Sequence, residues 1–97
     1  MLEVRATDAF VLPDNIFLQK IVELGKYWVF NIDSGEHYAL NETAYWVIEK
    51  IAEDVPLQSV LRDFLSSFDV DEDEGKSDFN DIIQNFLNEG IIQRRER

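Results

Sequence analysis

The chain contains no cysteine. That excludes disulfides, thiolate metal ligands and thiol nucleophiles. Positive charge is scarce: nine Lys and Arg stand against twenty Asp and Glu, for a formal charge of −11 over 97 residues. Nucleic acid presents a dense negative backbone and is held by clustered bases. The one basic cluster here is Arg94, Arg95 and Arg97, so the composition argues against direct nucleic-acid binding. The four glycines are scattered and make no phosphate-cradling loop. There is a single histidine, His37. No stretch of 18 apolar residues occurs, and Met1–Phe10 lacks the apolar run of a signal peptide. The expectation is a soluble, cytoplasmic protein.

What is present is enough apolar material, 45% of residues with 12% aromatic, for one modest core. The length fits a single domain over 1–97, with 1–14 an irregular lead-in and 93–97 a solvated tail. Pro13-Asp14-Asn15 marks a turn. Residues 16–23 alternate as a strand does, and Leu24-Gly25 turns the chain. Residues 26–32, "KYWVFNI", are aromatic and β-branched, apolar on both faces, and read as a central strand covered at least partly on both sides. Asp33-Ser34-Gly35 reads as a three-residue hairpin loop with Gly at the position of positive φ. The returning strand, residues 36–40, is short, with Tyr38 and Leu40 on the core face.

Asn41 follows directly as a helix N-cap, with Glu42 at the positive end of the helix dipole. The first helix carries Ala44, Val47, Ile48 and Ile51 on one stripe. Tyr45 and Trp46 lie off that stripe: one or both are partly exposed, or they pack on the N-terminal segment or the sheet. A second helix starts near Pro56 and shows Leu57, Val60, Leu61, Phe64, Leu65 and Phe68 at spacings of three and four. Residues 69–78 read as an acidic connector, with Ser77 capping a third helix whose apolar positions are Phe79, Ile82, Ile83, Phe86 and Leu87. Gly90 ends it, and Ile91-Ile92 form an apolar tail or a fourth short strand. Three strands followed by three helices make an α+β domain.

Catalytic patterns are absent from this reading. "DVDEDEG" has the acids of a calcium loop in the wrong register: counting from Asp69, Gly75 falls at position seven and Asn80 at position twelve. His37 is read as an exposed strand residue, because none of the five serines sits in a nucleophile elbow. No metal site, no cofactor and no enzyme activity is expected.

The stretch "FNIDSGEHYALNETAYWVIEKI" resembles the signature of the PqqD family, named for pyrroloquinoline quinone biosynthesis protein D. The matching positions are Asp33, Gly35, Tyr38, Leu40, Asn41 and Thr43, and "FLNEGII" at 86–92 resembles the family's closing motif. Ala44 departs from the Gly of many relatives, Val55-Pro56 from their Thr-rich helix start, and the connector, with its "GKS", is long. The resemblance implies a winged helix-turn-helix-like fold that recognises the leader of a ribosomally made precursor peptide. It implies delivery of that leader to a modifying enzyme: a radical SAM enzyme, a cyclase or a leader peptidase. It also implies a site in which the leader adds as a strand to residues Glu36, His37, Tyr38, Ala39 and Leu40. The third helix would wall that site with Asp78, Phe79, Asp81, Ile82, Ile83, Asn85, Phe86 and Glu89, some facing the groove and others the core. If strand order follows sequence, the third strand has a free edge, which is a template for another chain. Two other readings compete: a structural, self-associating domain that dimerises through that edge, and a DNA-binding winged helix, which the acidity opposes.

Overall fold

The computed structural model describes residues 9–68 and 71–95. Its elements are β1 (Phe10–Val11), β2 (Ile16–Ile21), β3 (Lys26–Asn31), β4 (His37–Leu40), α1 (Glu42–Ala52), α2 (Leu57–Ser67), α3 (Glu72–Asn88) and β5 (Gln93–Arg94). The α+β architecture is the expected one: an antiparallel sheet ordered β2-β3-β4, followed by three helices.

Period-two alternation divides the sheet into two faces. Leu18, Val29 and Tyr38 lie opposite one another on the inner face, as do Lys20, Tyr27 and Leu40. Val29 is fully buried, and Leu18, Tyr27, Tyr38 and Leu40 pack against the core. The hairpin between β3 and β4 is organised by Asn31. Its side-chain Oδ1 accepts from the backbone N–H groups of Asp33 (3.0 Å) and Ser34 (3.2 Å) and from Nδ2 of Asn15 (3.2 Å). Gly35 supplies the positive φ of 76°. Glu36 lies just outside β4, yet its carbonyl accepts the Asn31 N–H at 2.8 Å.

Helix α1 starts where expected: Asn41 Oδ1 accepts the N–H of Ala44 at 2.7 Å. Its end is a Schellman turn, with Asp54 N–H on the Ile51 carbonyl and Val55 N–H on that of Lys50. Asp54 takes the left-handed position with φ 63°, and its carboxylate pairs with the Arg95 guanidinium. Of the two alternatives for Tyr45 the structure has the packed one: it is buried on the sheet, its ring 5.1 Å from that of Tyr27. Trp46 is half-buried against Phe64 and Phe68, at 6.3 and 5.4 Å. The reason is that α1 contacts both the sheet and α2, so it buries more than one stripe.

Helix α3 begins earlier than the sequence reading placed it. "GKSD" is helical and Ser77 caps nothing; Asp71 occupies the N-cap position without a side-chain cap bond. Glu72, Asp73 and Glu74 fill the first turn, where carboxylates are favoured by the helix dipole. The core side of α3 is Phe79, Ile83 and Phe86, with the Phe79 ring 5.4 Å from Phe64. Gly90 (φ 72°) closes α3 with a second Schellman turn, its N–H on Leu87 and that of Ile91 on Phe86.

The lead-in is not wholly irregular, while the described tail residues Gln93, Arg94 and Arg95 are exposed. Phe10 pairs opposite Arg94, and Val11 opposite Gln93, as a two-stranded ribbon. Phe10 is buried under the Arg94 guanidinium, 5.3 Å away. The short strand expected on Ile91-Ile92 falls instead on the next two residues, because both isoleucines are buried in the core. The remaining parts of lead-in and tail, residues 1–8 and 96–97, lie outside the described residues, as do residues 69–70 of the connector. Among the described residues no helix is long and apolar enough to cross a membrane.

Candidate functional site

β4 is the outer strand of its sheet. It is four residues long because the turn at Gly35 fixes one end and the Asn41 cap fixes the other. Antiparallel pairing alternates inward-bonded and outward-facing residues. Asn31 bonds across to Glu36, so the alternation turns the N–H and C=O groups of His37 and Ala39 away from β3. No strand pairs on that side among the described residues.

α3 lies alongside this edge. A groove of about 380 Å³ separates them, lined by Tyr38, Ala39, Leu40, Asn41 and Ala44 on one side and by Ile82, Asn85, Phe86 and Glu89 on the other. A second depression of about 420 Å³ shares Asn41 and Ile82 with it and continues past Thr43, Phe64, Phe68, Asp78 and Asp81. The helix residues that line the two recur at three- and four-residue steps, which places them on one face of α3. The floor is apolar and the rim is acidic. Asp78, Asp81 and Glu89 are exposed, and no Lys or Arg lines either depression.

Tyr38 reports on that rim. Partial burial is the main cause that raises its phenol above the ordinary value, followed by Glu36 and then Glu89. Its hydroxyl donates to Glu36 Oε2 at 3.2 Å. A cation placed here would relieve this crowding of negative charge. His37 is exposed beside the Phe30 ring, at 5.9 Å. Among the described residues no three His, Asp or Glu side chains are grouped as metal ligands.

Of the sequence-derived residues, Tyr38, Ala39, Leu40, Asp78, Asp81, Ile82, Asn85, Phe86 and Glu89 line the groove or its continuation. Glu36 and His37 sit at the hairpin end of the same edge. Phe79 and Ile83 face the core and line neither depression; Phe86 does both. The sequence reading missed Thr43, Ala44, Phe64 and Phe68 as lining residues. The signal for Thr43 and Ala44 was the cap itself, since a helix that starts at the end of an edge strand brings its first turn to that edge. Phe64 and Phe68 belong by their spacing to the apolar stripe of α2, which by itself does not mark them as lining a groove.

The family model "Coenzyme PQQ synthesis protein D (PqqD)" matches residues 26–92. No curated protein matches the chain. Two solved structures are similar in fold. One is "TbiB1 in Complex with the TbiA(beta) Leader Peptide", with a TM-score of 0.76 at 12% identity over 89% of this chain and 98% of that one. The other is "Lasso peptide synthetase B1 complexed with the leader peptide", with a TM-score of 0.75 at 18% identity over 87% and 96%.

Proposed function

This chain belongs to the PqqD family, and from that membership we propose that it is a non-catalytic, cytoplasmic protein that binds the leader of a ribosomally made precursor peptide. The leader adds as a strand to β4 and lies in the groove against α3. The protein then presents it to the enzyme that modifies the peptide. The observation that carries this reading is the outward-facing backbone of His37 and Ala39 opening onto a groove with an apolar floor. The two fold relatives whose structures contain leader peptides support it.

The energetics suit such a role. Main-chain hydrogen bonds give register and affinity without demanding a sequence, at about 1 kcal/mol net each. Burial of apolar leader side chains on Leu40, Ile82 and Phe86 adds roughly 25 cal/mol per Å². A few of each offset the ordering of a flexible peptide and leave a dissociation constant in roughly the nanomolar to micromolar range. The acidic rim selects leaders with basic residues beside the apolar ones, and disfavours acidic peptides.

The test is calorimetry and amide chemical-shift mapping with the leader of a precursor encoded beside this protein. The expected result is binding to the protein alone, with shifts concentrated on residues 36–41 and 78–89. Absence of heat, or shifts confined to another face, overturns the reading.

A further inference from the structure

We infer that the depression beyond the Asn41 end of the groove is a subsite for an arginine side chain of the bound peptide, with Asp78 and Asp81 as its specificity-determining residues. The inference rests on the leader-binding reading and adds a place and a register to it. The depression holds about 420 Å³ and shares Asn41 and Ile82 with the groove, so a chain lying along β4 runs into it. Its floor is aromatic. The rings of Phe64 and Phe68 stand 5.2 Å apart, tilted by 45°, and both line it. They are braced by Phe79, 5.4 Å from Phe64, and by Trp46, 5.4 Å from Phe68.

Charge complementarity selects the occupant. Asp78 and Asp81 are three residues apart on α3, so their side chains are neighbours on one helix face. Both are exposed, and neither carboxylate has a hydrogen-bond or ion-pair partner among the described residues. The nearest cation in sequence, Lys76, reaches back to Glu72 at 3.8 Å. Two like charges above an apolar floor favour a group that combines positive charge with a flat apolar surface. A guanidinium does so: its donors fork to carboxylates and its plane stacks on aromatic rings. An ammonium is a compact, strongly hydrated charge and uses less of the floor. A purely apolar side chain gains nothing from the carboxylates, and an acidic one is repelled.

The fold also sets the register. β4 and α3 run in opposite directions along the groove: Tyr38 feels the charge of Glu89, whereas Asn41 shares the second depression with Asp78 and Asp81. From Asn85 and Phe86 back to Asp81 and Asp78 is about four to eight residues, or roughly 6 to 12 Å of helix. An extended peptide covers that distance in about two to four residues, and its side chains return to one face at every second residue. The arginine therefore stands roughly two or four positions from the apolar residue held by Leu40, Ile82 and Phe86, on the Asn41 side. Glu89 borders the opposite end of the groove and takes no part in this subsite.

A random dodecapeptide library displayed on phage tests this, selected in parallel against the full chain, its Asp78→Asn/Asp81→Asn variant and a Glu23→Gln/Glu53→Gln variant. The last has the same net charge as the second, with the changes at exposed residues that line neither depression. The expected result is arginine enriched at that spacing from an apolar residue on the parent and on the charge control, and lost on Asp78→Asn/Asp81→Asn. In a selected peptide, replacing the arginine by citrulline removes the charge and keeps the shape. Binding to the parent should weaken roughly tenfold or more, and binding to Asp78→Asn/Asp81→Asn should hardly change. If the citrulline peptide binds as tightly and still shifts the amides of residues 36–41, the inference is overturned and the leader-binding reading stands. Enrichment of an aromatic residue in place of arginine has the same consequence. So does an arginine preference that survives Asp78→Asn/Asp81→Asn, or that the charge control abolishes equally, since either is general attraction to an acidic protein. Selected peptides that leave residues 36–41 unshifted, or no enrichment on the parent, overturn both.

Discussion

The sheet has two outer strands, and they are built differently. β2 is six residues long and carries Lys20, whose ammonium bonds Glu49 on α1 at 2.9 Å and lies over the Tyr45 ring. A lysine on an outer strand is a common guard against pairing with another chain. β4 is four residues long, carries neither Lys nor Pro, and opens onto a groove walled by α3. Unpaired backbone is thus common to both edges. What distinguishes β4 is the apolar floor and the acidic rim of the groove beside it.

The wall is the first place to break this contrast. Ile83 is fully buried on the core side of α3 and lines no part of the groove. Ile83→Ala should cost about 2–5 kcal/mol of stability through lost burial and a cavity. Denaturant melts measure that loss directly. Where the variant is folded, leader affinity should change little. A large loss of affinity with unchanged stability would mean that Ile83 faces the groove instead.

Ala39→Pro attacks the edge itself. It removes an outward-facing N–H, a position where an outer strand tolerates proline, and leaves the β3 ladder its bonds. Leader binding should weaken about ten- to a hundredfold, the loss of one or two hydrogen bonds plus a clash. Calorimetry on the leader, with circular dichroism as the control for folding, reads it. Unchanged affinity would show that the peptide does not add to β4.

Glu89→Gln sharpens the role of the rim. Affinity for a leader with basic residues should fall severalfold at low salt, and the difference should shrink as salt rises. The same substitution should lower the Tyr38 phenol toward its ordinary value, since Glu89 is one of the groups that raise it. An ultraviolet titration follows that shift. The sign for stability is clear. A phenol raised in the fold contributes stability that is complete below the unfolded value of 10.0 and lost as pH climbs through the folded one.

The sequence made most of this legible where one residue governs local geometry. Asn41 and Gly90 marked the ends of α1 and α3, and the spacing of Leu57, Val60 and Phe64 marked α2. The α3 start was misplaced because an acidic stretch with a glycine looks like a loop. In a first turn, those same acids are what the dipole favours. The β1–β5 ribbon was not legible, since two-residue strands have no periodicity to read. Nor does a helical stripe say how many neighbours a helix has. Tyr45 is buried because α1 is enclosed by both sheet and α2. The groove was legible as an edge beside a helix. Its extension to Phe64 and Phe68 depends on how α2 and α3 cross, which no local pattern encodes.

The smallest expected effect tests the other edge. Lys20→Ala removes the guard from β2 and should leave leader affinity unchanged, because the groove is at the far side of the sheet. The Lys20 ammonium is raised in the fold chiefly by its hydrogen bond to Glu49 and by that carboxylate's charge. Its contribution is therefore present below the ordinary lysine value of 10.5 and lost as pH rises through the folded value. Lys20 is exposed, so salt should weaken that contribution. The melting difference between Lys20→Ala and the parent should be small at neutral pH and vanish in strong alkali. If Lys20→Ala instead weakened leader binding as much as Ala39→Pro does, the peptide would be pairing with β2. The contrast between the two edges would then be reversed.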